Sequence, residues 1–423
     1  MGRLFYELLS PEEAWRRLRQ ALPVPATGVE RVPLAEALGR VLARPCQAEA
    51  PLPGFRRSAV DGYAVQARDT FGASESFPAL FQVAGRVEMG RPAPGGPQTG
   101  EAVAVPTGGM LPPQADAVVM EEYVHDAGAD SIEVVRPVAP LENVVAADDD
   151  WSTGQLVLPA GRRLRAADLG ALAALGRAEV PVVPRPVVAI LSTGDEVVAP
   201  WEQPGPGQVR DINSYALAGL VREAGGEPLL GGICPDRWED LLARSRELLQ
   251  QADVLVLSGG SSVGSRDHTL RLVEALGPPG VLVHGVHIKP GRPLLVGAAA
   301  GKAVFGLPGH PASAMVTFSL FVAPWLALLQ GLPADGPGTG DPAKGSAPAT
   351  VPAQLGANLP SAVGRLDVVQ VRLRRQGDMW VAEPLFRKSG LITPMVEADG
   401  WLVVPGPSEG LKKGDWVEVH RYR

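Results

Sequence analysis

Disulfide-forming cysteine pairs and an excess of positive charge are both missing from this 423-residue sequence, and each absence excludes a class of protein. The two cysteines, Cys46 and Cys234, lie far apart and have no partner at metal-ligand spacing, which excludes a disulfide framework and a zinc knuckle. Reduced thiols are typical of the cytoplasm, and we expect that localisation. Because 39 lysines and arginines stand against 46 acids, a net charge of −7, we expect no nucleic-acid binding through whole-surface charge.

Long apolar segments are also scarce. The one stretch that could be mistaken for a membrane span, residues 312–329, contains Pro324 and lacks flanking lysine or arginine anchors. Residues 1–11 lack the charged, apolar and small-residue order of an export signal. We therefore predict a buried helix at 312–329 and no membrane association.

The chain is long enough for about two to four domains, and its 45% hydrophobic and 20% charged residues are typical of a globular protein. The pattern predicts a multidomain α/β plus β fold. A doubly wound α/β domain, an elongated N-terminal domain with a β domain inserted into it, and a C-terminal β module are expected. The predicted bounds are 1–50 with 137–185 for the elongated domain, 51–136 for the inserted β domain, 186–331 for the α/β domain and 350–423 for the C-terminal module.

The α/β domain is predicted from strands and helices that alternate in parallel-sheet style. Strands are expected at 187–191, 229–233, 253–257, 281–288 and 303–307, and helices at 214–224, 237–250, 268–276 and from Pro311. A capping box at Ser10-Pro11-Glu12-Glu13 predicts a further helix through about Leu22.

Three loops rich in Gly, Ser and Thr follow predicted strands, where ligands of open α/β sheets bind. Small residues let backbone N–H groups approach an anion, and three such loops indicate a ligand that bears phosphate. No Walker lysine or dinucleotide fingerprint is present. The loops are 192–196 (STGDE), 258–264 (SGGSSVG) and 306–311 (GLPGHP).

Carboxylates and a basic turn accompany these loops. Glu196, Asp236 and Asp267 stand in or just after strand ends, and a carboxylate beside a phosphate is repulsive unless a cation such as Mg²⁺ lies between them. Lys289 and Arg292 lie on a proline-flanked turn that could clamp an oxyanion.

Simpler interpretations of the same residues remain open at this point. Asp236, with Glu239 three residues on, and Asp267 could each be a helix N-cap. Glu196 could be an ordinary turn acid, Asp61 could belong to a plain β-turn, and Lys289 could be a solvated surface lysine.

The ordered set of motifs resembles the MoeA family, the molybdopterin molybdenumtransferases, which are similar also to the C-terminal domain of gephyrin. The resemblance covers nearly the whole chain. The motifs are 58–64 (SAVDGYA), Thr107-Gly108 before 115–119 (ADAVV), 192–196, 258–264 with Asp267, 289–293 (KPGRP) and 306–311.

This resemblance implies an elongated homodimer of four-domain subunits, in which a MoaB-like α/β domain of one subunit faces the β domain of the other. It implies that adenylylated molybdopterin and molybdate react with Mg²⁺ to give molybdenum cofactor and AMP, and that a MoaB/MogA-like adenylyltransferase could be a partner. Catalytic roles are implied for Asp61, Thr107, Asp150, Glu196, Asp236, Asp267 and Lys289, with Glu196, Asp236 and Asp267 as metal ligands. Cofactor-binding roles are predicted for Thr193, Gly194, Ser258, Gly259, Gly260, Ser261, Gly264, Pro308, Gly309 and Ser389.

The sequence also departs from the family pattern at basic positions. An Arg-Arg-x-Gly-Glu-Asp stretch is replaced by residues 145–150 (VAADDD), a lysine is replaced near His284-Gly285, and an arginine position aligns with Gln370. His310 stands where asparagine is usual. The alternative hypothesis is therefore a catalytically impaired paralogue that binds or carries molybdopterin or its cofactor for a partner enzyme.

Overall fold

A computed structural model describes residues 8–259, 263–334 and 350–422, with 263–267 described for their backbone alone. The predicted helices are observed with bounds close to those expected, except that α5 begins at Val263 instead of His268. The helices are α1 (Pro11–Ala21), α2 (Ala166–Ala174), α3 (Asn213–Glu223), α4 (Trp238–Gln251), α5 (Val263–Leu276), α6 (Pro311–Thr317), α7 (Ala323–Leu329) and α8 (Thr393–Glu397), with short 3₁₀ turns at Leu34–Glu36, Ala67–Thr70 and Glu121–Tyr123.

The α/β domain is built on a six-stranded sheet flanked by helices. The first four strands in spatial order pair in parallel, and the last two pairings of the sheet are antiparallel. In spatial order they are Glu227–Cys234, Val187–Thr193, Val254–Ser258, Lys302–Leu307, Leu295–Ala299 and Pro279–His284.

The strand Leu295–Ala299 was not predicted, and it makes the sheet mixed at one edge. Ala300 and Gly301 both have positive φ, 50° and 74°, and join this strand to Lys302–Leu307 as a tight hairpin. A two-residue turn with positive φ matches the right-handed twist of antiparallel strands. These two strands are therefore joined directly, without the crossover helix that parallel strands need.

The long apolar segment is a core helix of the α/β domain, as predicted. Helices α6 and α7 are joined through the π-helical turn Phe318–Val322. Pro311–Leu329 is the one helix among the described residues that is long and apolar enough to cross a membrane, and 72% of its apolar window is buried inside the protein. Trp325 contacts Trp15 of α1 edge to face, with ring centroids 6.4 Å apart, so α1 packs on this domain.

The chain leaves the N-terminal region, forms a β sheet and returns. Strand Glu30–Pro33 pairs with Glu179–Val182, and Cys46–Gln47 pairs with Leu156–Leu158. Val32, Leu42, Leu172 and Val182 share one buried cluster there. The strands of the inserted sheet are, in spatial order, Ala117–Met120, Gly62–Val65, Glu101–Val105, Ala79–Arg86, Ser131–Val134 and Val124–Gly128.

The C-terminal sheet closes on itself like a barrel, because Leu366–Gln376 also pairs with Gly400–Val404. A two-residue strand of the α/β domain, Ile288–Lys289, adds in parallel to Leu366 and Asp367. The two domains are therefore joined by backbone hydrogen bonds beside the basic turn. The strands in order are Ile288–Lys289, Leu366–Gln376, Met379–Pro384, Thr350–Leu355, Trp416–Arg421 and Gly400–Val404.

Three further two-stranded pairs complete the described strands. They are Arg57–Ser58 with Val144–Val145, Val197–Val198 with Val209–Arg210, and Leu359–Pro360 with Gly410–Leu411. The predicted multidomain α/β plus β fold class is confirmed.

Candidate substrate-binding cleft

A cleft with a cavity volume of about 330 Å³ lies at the carboxyl ends of the parallel strands, and we call it the strand-end cleft. Its floor comes from two strand ends, Ser192-Thr193 and Ser258-Gly259, and from the loop at Gly309. Five predicted residues thus meet in one cavity, in agreement with the rule for open α/β sheets. They are Thr193, Glu196, Ser258, Gly259 and Gly309.

The first two loops approach each other so closely that glycine is required. Gly259 has a φ of 139°, and a Cβ placed there would lie 2.2 Å from the carbonyl oxygen of Thr193. Gly194 has a φ of 136°, and its Cβ would lie 2.5 Å from Glu196 Oε2. Its N–H donates to the Cys234 carbonyl at 3.3 Å, which ties the first loop to the neighbouring strand. The absence of side chains leaves the backbone accessible, as an anion site needs.

Two cleft residues were missed from the sequence, Asp211 and Asn213 at the start of α3. Asp211 Oδ1 accepts from Ser192 Oγ and from the Ser214 backbone N–H, both at 3.0 Å. Asn213 Nδ2 donates to Ser258 Oγ at 2.8 Å and to the Gly309 carbonyl at 2.9 Å. An Asp three residues before Ser at a predicted helix start is a capping signal, and it could have directed attention to this segment.

Acidic side chains gather beside the first loop. Asp236 donates its backbone N–H to Asp195 Oδ1 at 3.1 Å. Burial, followed by the negative charges of Asp195 and Glu196, raises the pKa of Asp236, while His268 opposes the shift. Asp236 is not the N-cap of α4, because Arg237 holds that position and no side chain caps the helix. The structure therefore does not support the capping interpretation of Asp236.

The cleft also receives residues from the C-terminal barrel region. Gly390 lines it, and Ser389 Oγ lies 3.4 Å from His310 Nδ1 on the opposite loop. His310 and Arg210 bring basic groups to the lining, and both are exposed. Pro308, which directly precedes Gly309 and His310 in the third loop, is buried.

The basic turn lies outside the lining of the strand-end cleft. Lys289 is exposed, and its backbone pairs with Asp367 of the barrel. Gly291, with a φ of 118°, packs so tightly that a Cβ would lie 2.4 Å from Thr317 Cγ2. This packing holds the turn rigidly against α6 while leaving the Lys289 side chain in solvent.

Three predicted catalytic residues lie in the inserted β domain or in the segment that follows it, and none of them lines the cleft of the same chain. They are Asp61, Thr107 and Asp150. Asp61 Oδ1 accepts the Thr107 backbone N–H at 2.9 Å, so these two are brought together. Asp150 is exposed and donates its backbone N–H to the Leu52 carbonyl at 3.0 Å.

The structure describes the second loop only in part. Gly260, Ser261 and the side chain of Asp267 lie outside the described residues, and Gly264 falls in the segment of α5 described for its backbone alone. Among the described side chains, no group of three or more His, Cys, Asp or Glu residues is arranged to hold a metal ion.

Gln370, which aligns with a family arginine, is buried on the strand face that carries Val368 and packs against the α/β domain. It is 7% exposed, and its Oε1 accepts the Tyr422 hydroxyl at 2.6 Å. Arg372, on the same strand, is paired with Glu397 at 3.2 Å.

These features define a multidomain protein with a ligand-binding α/β domain, and comparison with known families specifies it further. Residues 9–176 match the MoeA N-terminal region (domain I and II), residues 189–328 match a probable molybdopterin binding domain, and residues 352–422 match the MoeA C-terminal region (domain IV). The chain belongs to the MoeA family.

Relatives match over nearly the full length. A putative molybdopterin biosynthesis protein of Methanocaldococcus jannaschii is 34% identical over 400 residues, covering 93% of this chain and 92% of the relative. The molybdopterin molybdenumtransferase of Haemophilus influenzae is 32% identical over 417 residues, covering 98% and 99%. The crystal structure of the molybdopterin biosynthesis MoeA protein from Pyrococcus horikoshii OT3 is 33% identical, covers 98% of this chain and 100% of that chain, and has a TM-score of 0.83.

Proposed function

We propose that this protein is a molybdopterin molybdenumtransferase, which inserts molybdenum from molybdate into adenylylated molybdopterin and releases molybdenum cofactor and AMP. The observation that carries this proposal is the strand-end cleft, in which Thr193, Ser258 and Gly309 meet beside an acidic group. The relatives that bear this enzyme name support the insertion of molybdenum into molybdopterin.

The cleft fits a ligand with phosphate groups and a planar ring system. Gly259 and Gly309 expose backbone next to the hydroxyls of Thr193 and Ser258, which suits phosphate oxygens. Val197, Val209 and Ile212 add apolar lining, and mixed walls of this kind are typical of small-molecule sites.

Mg²⁺ fits Glu196 in the cleft and Asp236 beside the first loop as a bridging ion and not as an ion in a closed protein cage. Magnesium commonly binds one or two carboxylates together with substrate phosphates and waters. Glu196 and Asp236 would hold it, with Asp267 as the family-implied third ligand. Burial raises the pKa of Asp236 most, and the neighbouring negative charges of Asp195 and Glu196 raise it further. When bound, the cation would neutralise negative charge on the phosphates of the substrate.

We further propose that the protein is a homodimer in the cytoplasm, and the remaining predicted residues are assigned on that basis. Asp61, Thr107 and Asp150 lie outside the cleft of their own chain, so we assign them to a shared site that a second subunit would complete. Lys289 and Ser389 are assigned to molybdate, a dianion that needs basic groups and hydroxyls. A MoaB/MogA-like adenylyltransferase would supply the adenylylated substrate.

The test is turnover with purified protein. Adenylylated molybdopterin with Mg²⁺ and molybdate should give AMP and active cofactor, with AMP release dependent on molybdate, and Asp267→Asn should be inactive. Asp253→Asn is the matched control, because Asp253 accepts the Val187 N–H at the opposite end of the sheet. Absence of AMP release at saturating molybdate would reject the proposal.

The second candidate function is a paralogue that carries molybdopterin or its cofactor without inserting metal. The burial of Gln370 favours it, because this family arginine position cannot contribute a charge to an oxyanion site here. In that case pterin would bind tightly, AMP would not be released, and molybdate would not alter the complex.

A further inference from the structure

Asn213 joins two loops of the strand-end cleft that are far apart in the chain. Its Nδ2 donates both to Ser258 Oγ, 45 residues away, at 2.8 Å and to the Gly309 carbonyl, 96 residues away, at 2.9 Å. One side-chain amide thus donates two hydrogen bonds, one to each of two segments at the ends of neighbouring strands.

The environment of this amide leaves it little freedom. Asn213 is 8% exposed, and the Gly309 carbonyl can only accept a hydrogen bond, so the amide nitrogen must face it. Its Oδ1 is buried without a hydrogen-bond partner in the described part of the chain. Buried side-chain oxygens in purely structural positions are nearly always paired, so an unpaired one in a cleft wall indicates a role with a ligand.

We propose that Asn213 is a positioning residue for the reaction, which holds the second and third loops at the spacing that the phosphate-bearing ligand requires. This inference rests on the proposed function, since it names a further residue of the same site. Gly309 has no side chain and Ser258 is a strand end, so the amide is the direct side-chain link between these two points.

The substitution Asn213→Asp isolates this link, because it keeps the shape of the side chain and replaces the donor with an oxygen. That oxygen would face the Gly309 carbonyl, and the repulsion between two acceptors should separate the loops. Gln330→Glu is the matched control. Gln330 is also a buried amide of this domain, and its Nε2 donates to the Ala224 and Leu326 carbonyls, both at 2.9 Å, outside the cleft.

Two measurements on the full-length protein separate the outcomes. Amide hydrogen exchange of the peptide covering 306–311 should be at least about tenfold faster in Asn213→Asp than in the wild type, and unchanged in Gln330→Glu. Binding of AMP, measured by calorimetry, should be about tenfold weaker in Asn213→Asp and unchanged in Gln330→Glu. Asn213→Ala, which adds no charge, should fall between the wild type and Asn213→Asp.

Unchanged exchange and unchanged AMP affinity in both Asn213 variants would overturn the inference. Equal loss of AMP affinity in Gln330→Glu would also overturn it, because the effect would then reflect general destabilisation. If the wild type itself binds no AMP, the proposed function fails, whereas faster exchange in Asn213→Asp alone would still support the link between the loops.

Discussion

Ser389 Oγ lies 3.4 Å from His310 Nδ1, so the connection between the barrel strand Met379–Pro384 and α8 meets the loop that opens α6. Gly390 next to it lines the strand-end cleft. The cleft is therefore formed by two domains, and the position of the barrel affects the site. The parallel pairing of Lys289 with Asp367 joins the same two domains at the basic turn.

Ser389→Ala should weaken molybdate use without affecting pterin binding. Loss of one hydroxyl that contacts an oxyanion costs about 1 kcal/mol, so we expect the KM for molybdate to rise about fivefold. Steady-state AMP release at varied molybdate measures this. Ser389→Thr retains the hydroxyl and should stay near the wild-type value. A KM that is unchanged in Ser389→Ala would remove Ser389 from the molybdate site.

Asp236→Asn should abolish turnover and stabilise the fold. The protein needs the carboxylate for Mg²⁺, and we expect AMP release to fall by at least about 100-fold. The raised pKa means that the folded protein disfavours the charged form, so removing the charge should raise Tm at pH 7.

The pH dependence of Tm checks the sign of this effect. The contribution of Asp236 to the free energy of unfolding falls as pH rises from its ordinary pKa of 3.8 through its raised value in the folded protein. The gain in Tm of Asp236→Asn should therefore be larger at pH 7 than at pH 4. A variant that is less stable than the wild type at pH 7 would contradict the assignment of an uncompensated charge.

Gly259→Ala should damage the second loop. The added methyl group would lie 2.2 Å from the Thr193 carbonyl oxygen, in a backbone conformation that L-residues rarely adopt. We expect a loss of about 2–4 kcal/mol in the free energy of unfolding and loss of AMP binding. Urea denaturation and calorimetry measure these two quantities.

Gly232→Ala is the control for backbone strain in the same sheet. Gly232 also has a positive φ, 83°, but a Cβ there would meet no atom within 4 Å. It should cost only about 1 kcal/mol and leave AMP binding unchanged. Equal effects of the two substitutions would show that close approach of the loops is not the decisive factor.

Asp168→Asn should destabilise the N-terminal region at neutral pH. Arg162 donates to this buried carboxylate at 2.8 and 3.0 Å, and that pair, with the Arg165 backbone N–H, lowers the pKa of Asp168. We expect a loss of about 2 kcal/mol at pH 7.

The stabilisation from Asp168 is present above its ordinary pKa of 3.8 and is lost as pH falls through its lowered value in the folded protein. The difference from the wild type in urea denaturation should therefore shrink in acid. Glu179→Gln, which breaks an exposed 4.0 Å pair with Arg31, should have little effect at any pH. A constant difference across pH would exclude the ion pair as the cause.

Gln370→Arg, which restores the family residue, should destabilise the barrel and not improve molybdate use. The side chain is 7% exposed and bonded to Tyr422, and burial of an unpaired charge costs several kcal/mol, so we expect a loss of about 3 kcal/mol or more. Gln376→Arg makes the same change at an exposed position of the same strand and should be neutral. Improved molybdate affinity with an unchanged Tm would show that residue 370 can reach the site.

Much of the fold could be predicted from the sequence because its signals are local. The apolar run at 187–191 and the capping box at Ser10–Glu13 indicate a buried strand and a helix start within a few residues each, and both elements are observed. The antiparallel strand Leu295–Ala299 was missed because its identity depends on a hairpin partner, and small apolar residues are ambiguous between helix and strand.

The candidate site was predicted in part for the same reason. Thr193, Ser258 and Gly309 follow strands directly, so their place at the sheet edge follows from chain order. Asn213 was missed because nothing within its own segment distinguishes it from a surface asparagine. Its role depends on partners 45 and 96 residues away.

By itself, the sequence determined most strands, helices and glycine loops of the α/β domain, and it indicated the family through the order of its motifs. Only the tertiary structure decided that Lys289 pairs with the barrel instead of lining the cleft, that Gln370 is buried against Tyr422 and that Asn213 joins two loops. The physical reason is that hydrophobic periodicity and turn-forming residues determine secondary structure within a few residues of the chain. The direction of a side chain, by contrast, is set by strand register and domain packing, which depend on contacts between distant parts of the chain.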